Sequence, residues 1–162
     1  MQLLEMPYNG NDLSMLVLLP KKLDGIAELQ KSLTPANLAK WTGKHGAVKV
    51  SVTMPKFKIA YELEMKDQLV ALGMTDAFDP AKADFSGIDG QKHSLYISAI
   101  LHKAFIDVNE EGTEAAAATA VVTFGVEEKP ATFRADHPFL FLIRDNSSGN
   151  VLFIGKVMDP QK

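Results

Sequence analysis

The sequence predicts an α+β fold of mixed β-sheets with a few helices, and three observations carry that expectation. Continuous and alternating apolar runs mark strands at both ends of the chain. Short stretches with apolar residues three and four apart mark helices between them. Strands and helices follow one another without the regular βαβ alternation of a parallel α/β sheet. With 162 residues, 46% hydrophobic and 23% charged, residues 1–162 have the size and balance of one globular domain with a buried core.

Leu3 to Tyr8 and Leu13 to Leu19 read as strands joined through Asn9-Gly10, a pair that tolerates the positive φ of a tight hairpin; the second strand is apolar enough to be buried on both faces. Ile26, Leu29 and Leu33 mark a short helix. Thr34-Pro35 is a cap with proline at the first helical position, and the helix that follows packs through Leu38 and Trp41. Val48, Val50, Val52 and Met54 alternate with polar residues, and the alternation resumes after Pro55 at Phe57, Ile59 and Tyr61, so half-exposed strands bent near Pro55 are expected. Met65, Leu69 and Leu72 mark a helix that stops at Gly73, and Asp76 to Gln91 reads as irregular. Leu95 to Val108, without Gly or Pro and apolar on nearly every position of both faces, reads as a long interior strand. His137 to Arg144, the turn Asn146-Ser147-Ser148-Gly149, and Val151 to Val157 complete a buried hairpin.

Several function classes lose their support. A net charge of -3, from 17 basic and 20 acidic residues, gives no reason to expect nucleic acid as a partner. The longest apolar runs, Met15 to Leu19 and Phe139 to Ile143, are far shorter than the ~18 residues that suggest a membrane span, so no membrane partner is expected. Without cysteine there is no disulfide or thiolate site, and His45, His93, His102 and His137 are scattered without a helical HxxxH pair, so neither metal nor cofactor is predicted. The start, Met1-Gln2-Leu3-Leu4-Glu5, does not read as a signal peptide. Lys49, Lys56 and Lys58 alternate with apolar residues, which favours a solvated strand face over a polyanion site. Asn146-Ser147-Ser148 fits a glycosylation acceptor, but a hairpin turn explains it without sugar.

One segment fits an ordinary fold poorly. Glu110, Glu111, Gly112, Thr113 and Glu114 are followed by Ala115, Ala116, Ala117 and Ala118, then by Thr119, Ala120, Val121 and Val122. A helix capped by Thr113 is one reading, because alanine has the best helix propensity. The other is an extended strand whose face Thr113, Ala115, Ala117, Thr119, Val121 is small and uncharged, with Gly112 as pivot. Small side chains matter if that strand must slide between existing strands over a packed core.

This order of acidic residues, glycine, threonine, glutamate and an alanine-rich run resembles the reactive-loop hinge of inhibitory serpins. Further segments resemble the same family in order: LGMTDAF and ADFSGI, the strand with LHKAFIDVNEEGT, and the terminal FRADHPFLFLIRDNSSGNVLFIGKV. The resemblance implies the C-terminal portion of the serpin fold, a partial domain over residues 1–162 whose long interior strand leads into an exposed reactive loop at about 110–130, with the N-terminal helical part missing.

It also implies inhibition of a serine protease by a suicide-substrate mechanism, with no catalytic residue in this chain. The loop is cleaved to an acyl-enzyme and inserts as a new strand beginning at Thr113, beside Leu95 to Val108. Inserting on the order of ten residues, at ~1 kcal/mol net per backbone hydrogen bond, supplies on the order of 10 kcal/mol to deform the protease. Scissile-bond candidates are Val126, Glu127 and Glu128. Val126 suits an elastase-like pocket and Glu127 a glutamate-selective enzyme, with Phe124 a weaker bait; Lys129 precedes Pro130, which disfavours a trypsin-like target. His102 matches a histidine on the strand that controls sheet opening in many serpins; a hydrogen-bonded buried histidine is the alternative. With its N-terminal half elsewhere, the chain is expected not to trap a protease alone. Its partners are then that half, or a second copy through the unpaired strand edge, and its location extracellular as in most of the family. A non-inhibitory serpin acting as a carrier or chaperone is the alternative function.

Overall fold

The computed structural model describes residues 1–43, 48–109 and 130–160. In chain order the elements are β1 (Gln2–Pro7), β2 (Leu13–Leu19), α1 (Ile26–Ser32), α2 (Pro35–Trp41), β3 (Val50–Thr53) and β4 (Phe57–Glu64). They continue with α3 (Lys66–Ala71), a 3-10 turn over Asp76–Phe78, α4 (Ser86–Asp89), β5 (Leu101–Val108), β6 (Ala131–Arg134), β7 (Phe139–Asp145) and β8 (Val151–Val157). Two compact units result, one of Met1–Phe57 with Asp107–Lys162, the other of Lys58–Ile106. Among the described residues no helix is long and apolar enough to cross a membrane.

The larger unit is built on an antiparallel sheet in the order β1-β2-β7-β8. β2 lies between two neighbours, and Ser14 to Leu19 are all buried, as the continuous apolar run predicts. Alternation sends Leu16 and Leu18 to one face, where they join Leu140 and Leu142 of β7 and meet Ile26 and Leu29 of α1. Leu38 and Trp41 of α2 pack on the same cluster. The start of α2 follows the sequence reading: the Thr34 hydroxyl accepts from the Asn37 N–H at 3.2 Å, and Pro35 takes the first helical position.

On the opposite face Val17 pairs with Phe141 across the β2–β7 ladder. The Phe57 ring stands edge-on to Phe139, centroids 6.0 Å apart, and tilted against Phe141 at 5.2 Å. Phe141 is opposite Gly155 of β8, and a Cβ there would fall 2.4 Å from the ring. Only glycine lets Phe141 sit so close to β8. A second small sheet pairs β3 with β6 in parallel, from Val50 opposite Ala131 to Thr53 opposite Arg134, and buries Phe133.

Polar groups tie the loops. The Asn146 amide donates to the Asn11 carbonyl and to the Ser14 hydroxyl, each at 2.8 Å, joining the two hairpin turns. This engagement of the side-chain nitrogen that a sugar would need favours the turn reading of Asn146-Ser147-Ser148. Asp145 accepts from the Ser148 N–H at 2.6 Å and from the Ser147 and Ser148 hydroxyls at 2.7 Å. The Ser148 backbone donor, then the two hydroxyls, hold its carboxyl at about 2. His137 donates from Nε2 to the Pro20 carbonyl and from Nδ1 to Asp136, each at 2.8 Å, so the doubly protonated ring is satisfied on both sides. Burial alone would lower its pKa, but the hydrogen bonds to Asp136 and Pro20 outweigh burial and raise it above the ordinary value.

In the smaller unit α3 ends at Ala71 and is closed by Gly73, whose φ of 101° places it in the left-handed region; the Met74 N–H returns to the Leu69 carbonyl at 2.9 Å. Phe78 is buried beneath the Lys66 ammonium, 5.8 Å from the ring centroid. Ala83 is buried, its carbonyl 3.0 Å from His93 Nδ1. The motifs LGMTDAF and ADFSGI therefore contain a helix stop and two buried anchors.

Five expectations are corrected. Leu95 to Ile100 is not strand, because β4 ends at Glu64 and the Met65 N–H donates to the Ile100 carbonyl at 2.8 Å, where the pairing partner turns into α3. β5 is not interior: Leu101 is 62% and Phe105 64% exposed. The closing hairpin is buried mainly through β7, since β8 has a single strand neighbour among the described residues and is mostly exposed. In the first turn the positive φ values fall on Gly10 and Asn11 rather than on Asn9-Gly10, as the connection between β1 and β2 is longer than two residues. The stretch Asp76 to Gln91, read as irregular, holds the 3-10 turn and α4, too short for a periodic signal.

Gly155→Ala is expected to destabilise the chain by about 1–3 kcal/mol through overpacking. In a Phe141→Leu background the same change should do less damage, and urea unfolding of the four proteins in this cycle measures the coupling. The raised pKa of His137 predicts a stability contribution that is complete below the ordinary 6.5 and is lost as pH rises through the folded value. The advantage of the wild type over His137→Gln should therefore shrink between pH 6 and pH 8, read from urea midpoints.

Candidate functional site

The residues singled out from sequence, Glu110 to Thr119 and the bond candidates Val126, Glu127 and Glu128, lie outside the described residues, as does His45. What the structure places is the pair of strands on either side. β5 reaches Val108, which is buried, and then Asn109; the chain re-enters at Pro130 and passes into β6. β6 was not anticipated, because four residues alternating around a single large apolar group, Phe133, carry a weak signal. Its anchor is firm: the Ala131 N–H donates to the Lys49 carbonyl at 3.1 Å, the Ala135 N–H to the Thr53 carbonyl at 2.9 Å, and Phe133 and Ala135 are buried.

β5 forms a two-stranded sheet with β4, and among the described residues no strand lies on its other edge. Alternation places Leu101, Lys103 and Phe105 on one face and His102, Ala104 and Ile106 on the other. Lys103 bridges to Glu62 of β4 at 3.0 Å, a surface pair that contributes at most about 1 kcal/mol. His102 is exposed, which removes the buried-histidine reading for this chain. Tyr61, 54% exposed on β4, and Phe105 add aromatic surface that the sequence reading did not single out; their consecutive strand alternation was the available signal.

Chemically, β5 offers an edge with no strand on it among the described residues, beside the exposed apolar side chains of Leu101 and Phe105. Such an edge accepts a further strand. Among the described residues no group of three or more His, Asp or Glu side chains is placed to hold a metal ion.

Comparison with known proteins points the same way. The protein-family model described as "Serpin (serine protease inhibitor)" matches residues 1–160. The human "Leukocyte elastase inhibitor" is 43% identical over a match covering 98% of this chain and 44% of that protein. Human "Serpin B3" is 44% identical, covering 98% of this chain and 41% of its own length. Among solved structures, the native state of the thermophilic serpin tengpin superposes with a TM-score of 0.76 at 38% identity, over 97% of this chain and 41% of that one. The chain thus spans less than half the length of these relatives.

Proposed function

The chain belongs to the serpin family, and on that premise we propose that it carries the bait loop and one acceptor strand of a serine-protease inhibitor. One observation carries this reading: β5, hydrogen-bonded to β4 and with no strand on its other edge among the described residues, runs directly into the segment beginning at Glu110. The family is one of inhibitors, so the chemistry belongs to the target. The protease's serine oxygen attacks the carbonyl carbon of the bait residue, its proton passing to the protease's own base. The peptide C–N bond breaks, the new amine leaves with that proton, and the loop remains joined to the protease as an ester. The freed segment then pairs with the open edge of β5, turning Thr113, Ala115, Ala117, Thr119 and Val121 toward the core.

The number of neighbours sets the driving force. A strand inserted between two others satisfies its backbone groups on both sides, for on the order of 10 kcal/mol over ten residues. Beside β5 alone only about half of those groups find partners, leaving on the order of 5 kcal/mol. Trapping therefore requires the second neighbour and the sheet that goes with it. For the bait, the names of the elastase-inhibitor relatives favour Val126 and an elastase-like enzyme over a glutamate-selective one acting at Glu127 or Glu128.

The test joins this chain to the remainder of a serpin and incubates the product with an elastase-like and a glutamyl protease. A denaturant-stable covalent complex with the elastase-like enzyme, cleaved after Val126, is expected; no such complex with either enzyme rejects inhibition. Thr113→Arg should abolish the complex while the loop is still cleaved, because insertion would bury an unpaired charge. Undiminished trapping by that variant rejects the insertion step.

A further inference from the structure

The tip of the first turn carries the single Asn-Gly pair of the sequence, Asn9-Gly10. Both residues are exposed, and Gly10 has a φ of 86°. The turn is anchored on either side of them and not at them. The Tyr8 N–H donates to the Leu13 carbonyl at 2.9 Å and the Asn11 N–H to the Tyr8 carbonyl at 3.0 Å. The Asn11 carbonyl accepts from the Asn146 side-chain amide and the Asp12 carbonyl from the Asn146 N–H, each at 2.8 Å. Among the described residues nothing accepts from the Gly10 N–H or holds the Asn9 side chain. An asparagine before glycine is the pair in which the following backbone nitrogen most readily reaches the side-chain carbonyl, because no Cβ blocks its approach. Elsewhere the structure holds such pairs off. The glycine N–H of Asp24-Gly25 donates to the Lys22 carbonyl at 3.0 Å, and that of Asp89-Gly90 to the Ser86 carbonyl at 2.8 Å. Asn37 lies within α2, its side chain donating to the Ser32 carbonyl at 2.7 Å and the following Leu38 N–H to the Thr34 carbonyl at 2.8 Å. Asn146 commits its side-chain nitrogen to Asn11 and Ser14.

We propose that Asn9 is a self-modification site, cyclised by Gly10 to a succinimide that water opens to isoaspartate or aspartate. The Gly10 nitrogen gives its proton to hydroxide and attacks Cγ of Asn9. The N–Cγ bond forms, the Cγ–Nδ2 bond breaks, and the side-chain nitrogen takes a proton from water and leaves as ammonia. Water then adds to the ring. Addition at the main-chain carbonyl routes the backbone through the side chain, one methylene longer, whereas addition at Cγ leaves aspartate; nothing is oxidised or reduced. Either product puts a new carboxylate into a turn that already holds Asp12, whose Oδ2 lies 3.6 Å from where a Cβ on Gly10 would stand. The longer backbone of isoaspartate also displaces the Asn11 carbonyl that Asn146 engages, so the tie between the two hairpin turns weakens. Modification at this one exposed tip therefore reaches the closing hairpin, on the far side of the sequence.

The 162-residue chain is incubated at mildly alkaline pH, both folded and unfolded in guanidinium. Peptide mass spectrometry follows the conversion of amide to acid at each asparagine, and enzymatic methyl transfer reads isoaspartate. The rate at Asn9 in the folded chain is expected within threefold of its rate in the unfolded chain, whereas folding slows Asn37 and Asn146 at least tenfold. Asn9→Gln, whose side chain would have to close a less favourable six-membered ring, should stay unmodified at position 9 over the same period and keep the wild-type melting temperature, because residue 9 is exposed. In the isoaspartate-containing wild type the backbone amides of Asn11 and Asn146 should exchange hydrogen at least threefold faster. The proposal is overturned by a folded-state rate at Asn9 more than threefold below the unfolded one, by rates at Asn37 or Asn146 that folding slows less than tenfold, or by amide exchange at Asn11 and Asn146 that modification leaves unchanged.

Discussion

The ladder between β2 and β7 is the contact on which the larger unit depends. Its residue pairs alternate strictly: Leu16 with Leu142 and Leu18 with Leu140 look to α1, while Val17 with Phe141 looks the other way. Both strands are apolar on both faces, so each needs a layer above and a layer below. α1 and α2 supply one through Ile26, Leu29, Leu38 and Trp41; the Phe57 ring contributes to the other. Fully burying a leucine or phenylalanine is worth about 1.5–3 kcal/mol, so a handful of such pairs outweighs the surface ion pairs. His137 and Asn146 then fasten the strand ends to Pro20 and to the first turn, Asn146 supplying a donor to the buried Ser14 hydroxyl.

Away from that ladder satisfaction runs out, and it does so in two different ways. β5 has no strand on one side among the described residues, while Leu152 and Ile154 of β8 keep more than half of their surface in water. Both belong to a chain that spans less than half the length of its relatives.

Much of this was legible from local pattern. The β2 run, the Thr34-Pro35 cap, the stop at Gly73 and the break between β3 and β4 at Pro55 all follow from residues acting on their immediate neighbours, and the structure has each of them. Burial was legible only where the covering element lies in the same chain. Leu101 to Val108 and Val151 to Val157 carry the apolar content of interior strands, and the sequence reading placed them inside; most of their side chains are exposed, although Val108 and Val157 are buried, because exposure is a property of the neighbours and not of the strand. β6 went unrecognised for the converse reason, since its four residues owe their conformation to pairing with Val50 to Thr53, far away in sequence. The hinge and bond candidates stand on their sequence alone, being outside the described residues.

By itself the sequence determined the family, most of the longer elements and the chemistry of the segment Glu110 to Val122: acidic, then small, then apolar, with glycine at the pivot. These are properties of residue order, which local sterics and side-chain size read directly. Tertiary structure alone decided which strands have neighbours. It started β5 only at Leu101, where β4 turns into α3, set Gly155 beneath Phe141, joined two distant turns through Asn146, and left Leu152 and Ile154 of β8 exposed. The physical reason is that hydrogen-bond ladders and packed layers are made between segments far apart in the chain, and no local pattern states whether the partner is present.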